Sequence, residues 1–312
     1  MTEYDKQNLS NNSTSKHEAE HLKFSKISPT AKLVAYFREF SDIPFAKEVS
    51  RLIDAQSMTE KFCPDPETLE TFKKFGAPGL EARYKSMVST IKRLGIEQVL
   101  ELASGLSFRG TLMTEDPKIT YVETDLSPMM AERMALIEHI PGVKSALNRP
   151  NLFLESVNAL SLSDLEKALR HFNPKKPVAI IHEGLYQYLS MTEKKILANN
   201  IKGILSRFGG AWITPDFMTE ADSKIWSEQP KAQKLLEQIT STITKLTGRN
   251  LRDNQFRDDN DIAQFVGQFG LKMQVCPQID DSYTLTSLKK FPLPDQHLKQ
   301  MQSHLKLWVL ST

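Results

Sequence analysis

From Gln98 onward, short runs of consecutive apolar residues alternate with longer stretches in which apolar residues return every three or four positions. The short runs are QVLELA, ITYVET, LFLESV, VAIIHE and AWITPD, followed near the end by LKMQVC and LKLWVLS, which gives seven candidate strands. Short, mainly apolar runs of this length suit strands of a sheet. The longer stretches SPMMAERMALIEHI, SLSDLEKALRHF and TEKKILANNIKGILSRF lie between the early strands and read as amphipathic helices. This alternation predicts an α/β fold with a parallel, doubly wound sheet. The text between the last two runs, DDSYTLTSLKKFPLPDQHLKQMQSH, shows no clear covering helix, which permits an antiparallel strand pair there.

The chain ahead of the sheet divides in two. Residues 1–26 are polar, rich in Asn, Ser, Lys and Glu, and cannot bury enough apolar surface to offset the entropy of ordering, so they read as a mobile tail. Residues 27–95 read as a helical region in which Leu33, Val34 and Phe37, and later Val49, Leu52 and Ile53, recur at helical spacing. Its last helix, GLEARYKSMVSTIKRLG, is expected to start at Pro78 and Gly79 and to stop at Gly95. Residues 96–312 form the core, interrupted at 217–256 by a polar helical insertion longer than an ordinary loop.

Charge and composition narrow the function classes. The net charge of +2 gives no electrostatic reason to expect nucleic acid or an anionic membrane as partner. The two cysteines, Cys63 and Cys276, lack metal-ligand spacing, so neither a metal site nor a disulfide framework is expected, and a reducing, cytoplasmic setting is the default. The start of the chain lacks the apolar core of a secretory signal, and no apolar run is long enough to span a membrane.

The candidate chemistry begins in QVLELASGLSFRG. A strand running into such a turn resembles a dinucleotide loop, but the three glycine places of that fingerprint hold Ala103, Gly105 and Phe108. Phe108 in the third place is expected to hold the helix away from the strand, so the turn suits a ligand that needs one close backbone approach and no pyrophosphate cradle. S-adenosyl-L-methionine is such a ligand. Glu101, Ala103 and Arg109 flank the turn and join Gly105 as cofactor-binding candidates. Asp125 ends the second strand about 20 residues later, where an acidic residue can accept hydrogen bonds from ribose hydroxyls, or can cap the helix that follows. Glu123 shares its strand face. Asn158, at the end of the third strand, can meet adenine through its amide or serve as a turn residue. The fourth strand carries His182 and Glu183 to the crevice at the carboxyl ends of the strands. Glu183 can pair with an ammonium, and His182 and Tyr186 are candidates for a general base, although a histidine or tyrosine so placed can also be structural. Tyr188 shares the alternatives of Tyr186, a pocket wall or a half-buried turn residue.

Taken in order, ISPTAKLVAYFRE, LEARYKS, VLELASGLSFRG, YVETDLSP and HEGLYQYLS resemble the leucine carboxyl methyltransferase family and its bacterial polyketide-type O-methyltransferase relatives. The resemblance runs from about Ile27 to the last strand. It implies a Rossmann-like class I methyltransferase with an antiparallel seventh strand, S-adenosyl-L-methionine as cofactor, and a lid made of the N-terminal helices and the insertion. It also implies that Arg83 holds the cofactor carboxylate, Gly105 approaches its methionine part, Asp125 binds the ribose and Glu183 faces the amino-acid end. The turn departs from the family's usual GxGxDTR, and Asn158 stands where an Asp is common. The function so implied is methyl transfer to a carboxylate or hydroxyl of a small molecule or chain end. The alternative is a cofactor-binding partner module without turnover.

Overall fold

The computed structural model describes residues 29–220, 222, 237, 241, 244 and 254–312. The polar tail and most of the 217–256 insertion lie outside the described residues. The chain opens with four helices, α1 (Pro29–Arg38), α2 (Ala46–Leu52), α3 (Ala55–Phe62) and α4 (Pro66–Arg93). Then follow β1 (Gln98–Leu102), α5 (Arg109–Met113), β2 (Thr120–Asp125), α6 (Ser127–Ile137), α7 (Pro141–Ala146), β3 (Leu152–Ser156), α8 (Leu162–Leu169) and β4 (Val178–His182). The last part comprises α9 (Met191–Phe208), β5 (Gly210–Thr214), α10 (Asp259–Gly267), β6 (Lys272–Pro277), α11 (Asp295–His304) and β7 (Lys306–Ser311).

All seven apolar runs are strands of one sheet, in the order β3-β2-β1-β4-β5-β7-β6. The pairs from β3 to β5 are parallel, and β7 runs antiparallel to both β5 and β6. β1 and β4 are buried along their whole length, as central strands covered on both faces must be. Side chains alternate between the two faces. Leu100, Ile180 and Trp212 pack against α8, α9 and α10, whereas Val99, Ala179, Ile181 and Ile213 pack against Met87 and Ile91 of α4. A third cluster joins α1, α2 and α3 to α6 through Tyr36, Phe37, Ile53, Leu136 and Ile137. The N-terminal helices are thus built onto the sheet's covering layer.

Local chemistry explains the helix starts. Ser190 and Glu193 form a reciprocal capping box at α9, Ser161 caps α8, and Asp65 caps α4 ahead of Pro66. Two local expectations fail. α4 does not begin at Pro78 but runs through it for 28 residues, because Ala77, Pro78 and Gly79 are buried and tertiary packing outweighs the lost backbone bond. The segment before β7 does contain a helix, α11, whose only buried residue is Met301, so its apolar pattern is too sparse to read in advance.

Candidate active site

The turn after β1 adopts the backbone of a glycine loop with few glycines. Ala103 has φ 51° and Gly105 φ 53°, both in the left-handed region. Ser104 N–H donates to the Thr124 carbonyl at 2.9 Å, and Ser107 N–H closes the turn onto Ser104 at 3.0 Å. The Gly105 N–H donates to Asp125 Oδ2 at 2.8 Å, and the Leu126 N–H to Asp125 Oδ1 at 2.7 Å. Arg133 of α6 donates to the Gly105 carbonyl, pairs with Glu123 and lies 4.3 Å over the Phe108 ring.

Phe108 does not hold the helix off the sheet. It is the N-cap residue of α5, and its side chain turns into the cluster of the N-terminal helices, with the Phe45 ring edge-on at 6.5 Å. Close packing is provided one step later by Gly110, where an added Cβ would stand 2.8 Å from Glu123, Leu152 and Tyr121. The third glycine's role has moved along the chain.

Beside the turn lies a buried network of charges. Glu183, at the end of β4, accepts from Arg38 at 2.5 Å and from Arg109 at 2.9 Å, and Arg83 Nε lies 3.7 Å away. Arg109 also pairs with Glu101, which accepts from Ser107 at 3.0 Å and from Tyr121 at 2.7 Å. Burial pushes the Glu183 carboxyl up, but Arg38, Arg83 and Arg109 outweigh it and hold the group below the usual carboxylate range. Asp216, just beyond β5, pairs with Arg83 and accepts from the amides of Gly184 at 2.8 Å, Leu185 at 2.9 Å and Tyr186 at 3.2 Å. Burial opposes its ionisation too. Arg83, His182 and the Gly184 amide prevail and keep it well below the ordinary value.

These groups border a cavity of about 1480 Å³ at the carboxyl ends of the strands. Arg83, Glu101, Ala103, Gly105, Asp125, Asn158 and Glu183 all line it. Asp125 does not cap α6, whose N-cap is Leu126, but Asn158 does make a turn bond, accepting from Leu160 N–H at 3.0 Å. Arg109 and Glu123 are not on the cavity wall: both are buried behind it, committed to Glu101 and Glu183, and to Arg133 and the Gly110 amide.

The two candidates for a base are corrected by their surroundings. His182 is fully buried, its Nε2 accepts from the Trp212 indole at 2.9 Å, and its Nδ1 faces Asp216 at 2.9 Å. Since an indole only donates, the ring proton sits on Nδ1, and His182 orients Asp216 rather than meeting a substrate. Tyr186 is also fully buried, with its hydroxyl donating to the Lys194 carbonyl at 3.0 Å. Tyr188, by contrast, lines the cavity and bonds Thr30 at 3.1 Å. Two wall residues escape a reading of motifs, Arg38 and Asp216. Asp216 follows a strand end just as Glu183 does, so the rule that finds Glu183 also reaches it, whereas Arg38 is one charge among many on a helix.

Known proteins resemble this chain in sequence over one segment and in fold over most of its length. Residues 70–202 match the family model described as leucine carboxyl methyltransferase. No curated protein sequence matches the chain. Among solved structures, a DUF574 family protein from Streptomyces avermitilis aligns at 11% identity and TM-score 0.55, covering 90% of this chain and 96% of its own. It shares the fold. A putative O-methyltransferase from Nostoc punctiforme aligns at 10% identity and TM-score 0.43, over 77% of this chain and 59% of its own. Human N-acetylserotonin methyltransferase in complex with SAM aligns at 8% identity and TM-score 0.41, over 81% and 61%. The matched segment runs from α4 to α9 and holds Arg83, Gly105, Asp125 and Glu183. Over that segment the chain is similar to the leucine carboxyl methyltransferase family, and the sheet it builds is a seven-stranded α/β sheet, parallel from β3 to β5 with an antiparallel β7.

Proposed function

We propose that the chain transfers a methyl group from S-adenosylmethionine to a carboxylate or hydroxyl oxygen of a small molecule or chain end. The observation that carries this is one cavity bordered by the Gly105 turn, Asp125 and the Arg83–Glu183 pair. At about 1480 Å³ it exceeds the roughly 300–1,000 Å³ of a single-ligand pocket, which leaves room for cofactor and acceptor together. The residues fit the cofactor. A Cβ on Gly105 would meet only the Ala103 carbonyl at 3.9 Å, so a ligand can approach this backbone closely. Each Asp125 oxygen accepts one amide and keeps a lone pair for a ribose hydroxyl. Arg38 Nε, Arg83 Nε and Ser104 Oγ are buried wall atoms without a hydrogen-bond partner among the described residues, suited to the cofactor's amino-acid end.

When bound, the cofactor supplies an electrophilic methyl group on a sulfonium. The chain's own work is alignment and exclusion of water. Asp216, oriented by His182, fixes the Gly184–Tyr186 backbone and Arg83, while Leu33 and Phe37 of α1 and Phe72 and Leu80 of α4 wall the acceptor side. In this reading the N-terminal helices close over the crevice. No described helix is long and apolar enough to cross a membrane, and the free, buried Cys63 and Cys276 suit a reducing cytoplasm.

Calorimetric titration tests the cofactor half. Binding of S-adenosylmethionine and its demethylated product is expected, with none of NAD. Failure of both adenosyl ligands to bind or to raise the melting temperature at millimolar concentration overturns the proposal.

A further inference from the structure

Lys194, in the first turn of α9, is 3% exposed and lines the cavity. Its Nζ lies 5.3 Å from the Tyr186 ring centroid and 4.9 Å from that of Phe256, and it donates to the Asn254 carbonyl. Among the described residues it forms no salt bridge. The groups facing it are otherwise engaged. On its own helix, Glu193 holds the Ser190 amide in the capping box. From the turn after β4, the Tyr186 phenol donates to Lys194's own carbonyl. Beyond β5, Asp216 is committed to Arg83, His182 and three amides.

A buried ammonium met, among the described residues, by two ring faces and a carbonyl is incompletely compensated. Burial, the largest influence, brings it down to about 8 against the raising pull of Asp216. An anion entering the cavity beside it would supply the missing charge and strengthen its hold on the proton. Phe217, packed on Tyr186 and Phe256, and Met218, bonded through its backbone to Phe256, also line the cavity and offer an apolar body its contact. We propose that Lys194 anchors an anionic group of the methyl acceptor, so that the pocket selects a carboxylate carried on an apolar body. This rests on the methyltransferase reading above, and the anchored group need not be the one methylated.

The test titrates octanoate and octan-1-ol into the full-length protein saturated with S-adenosylhomocysteine. Octanoate is expected to bind at least about tenfold more tightly than the alcohol at pH 7. That preference should fade as pH rises through about 8, and binding near pH 8 should take up protons, seen as a dependence of the heat on buffer ionisation enthalpy. Lys194→Met should lose both the preference and the proton uptake, whereas Lys194→Arg should keep the preference without its alkaline loss. Cofactor affinity should be unchanged in both variants. Replacing an uncompensated buried charge with an apolar chain of similar length leaves the fold intact, so the Met variant should melt no lower than wild type. No octanoate preference in wild type, or a preference retained in the Met variant, overturns the proposal. So does a methyl-transfer rate that rises through pH 8 and is lost in the Arg variant, which would identify Lys194 as a base. If S-adenosylhomocysteine does not bind, the cofactor reading fails separately, and octanoate titrated alone still decides the role of Lys194.

Discussion

At the residue scale the site depends on carboxylates held ionised in a buried setting. Asp216 is the clearest case, since its folded pKa lies below the ordinary 3.8. The unfolded chain therefore takes up this proton first on acidification. The stability it contributes is fully present above the unfolded value and is lost as pH falls from there through the folded one. Asp216→Asn should flatten that part of the acid-unfolding curve. At pH 7 it should cost about 3 kcal/mol or more in denaturant titration, because Arg83 loses its closest counter-charge. An unchanged midpoint would mean that Asp216 is not the hub of this network. Ala103 makes the opposite case. An alanine at φ 51° is strained where a glycine is not, so Ala103→Gly should stabilise the protein by about 1 kcal/mol. Asp125→Ala should weaken S-adenosylmethionine binding by roughly 1.5–3 kcal/mol through lost charge-assisted ribose bonds. Wild-type affinity in that variant would remove Asp125 from the cofactor site.

At the scale of elements, the junction of β1, its turn and α5 decides where the cavity opens. The approach of α5 to β2 requires the bare backbone of Gly110, whose added Cβ would stand 2.8 Å from Glu123, Leu152 and Tyr121. Gly110→Ala should accordingly destabilise by about 1–3 kcal/mol, measured by thermal or denaturant unfolding. A neutral effect would show that α5 shifts freely along the sheet. This role was not legible in advance. Counting from the dinucleotide fingerprint assigns the third place to Phe108, and nothing in the letters shows that Phe108 swings away to pack with Phe45 and Arg133. Helix starts were legible where a side chain caps its own backbone, as Ser190 and Glu193 do, because that chemistry is local. The extent of α4 was not, because burial of Ala77, Pro78 and Gly79 by distant residues carries the helix past a proline.

For the whole molecule, the N-terminal helices are both structure and wall. They join the core through Tyr36, Phe37 and Ile53, yet also present Leu33, Phe37 and Arg38 to the cavity. If they close over bound cofactor, hydrogen exchange in α1 and in the Thr71–Arg83 stretch of α4 should slow on adding S-adenosylhomocysteine. Unchanged exchange there, with binding confirmed, would make them a fixed wall rather than a lid.

The apolar runs alone determined seven strands and the βα alternation, because a strand packed into a sheet needs apolar side chains wherever it lies; they permitted an antiparallel end, but the pairing of β7 with β5 and β6 decided it. The same letters located Gly105, Asp125 and Glu183, because strand ends and turns punctuate the pattern. Only the tertiary structure decided what those residues meet. It set His182 and Tyr186 behind the wall and placed Arg109 and Glu123 in buried pairs. It also brought Arg38, Arg83 and Asp216, separated by up to 178 positions, around one carboxylate cluster. Charge pairing of that kind depends on distances across the fold, which no periodicity along the chain encodes.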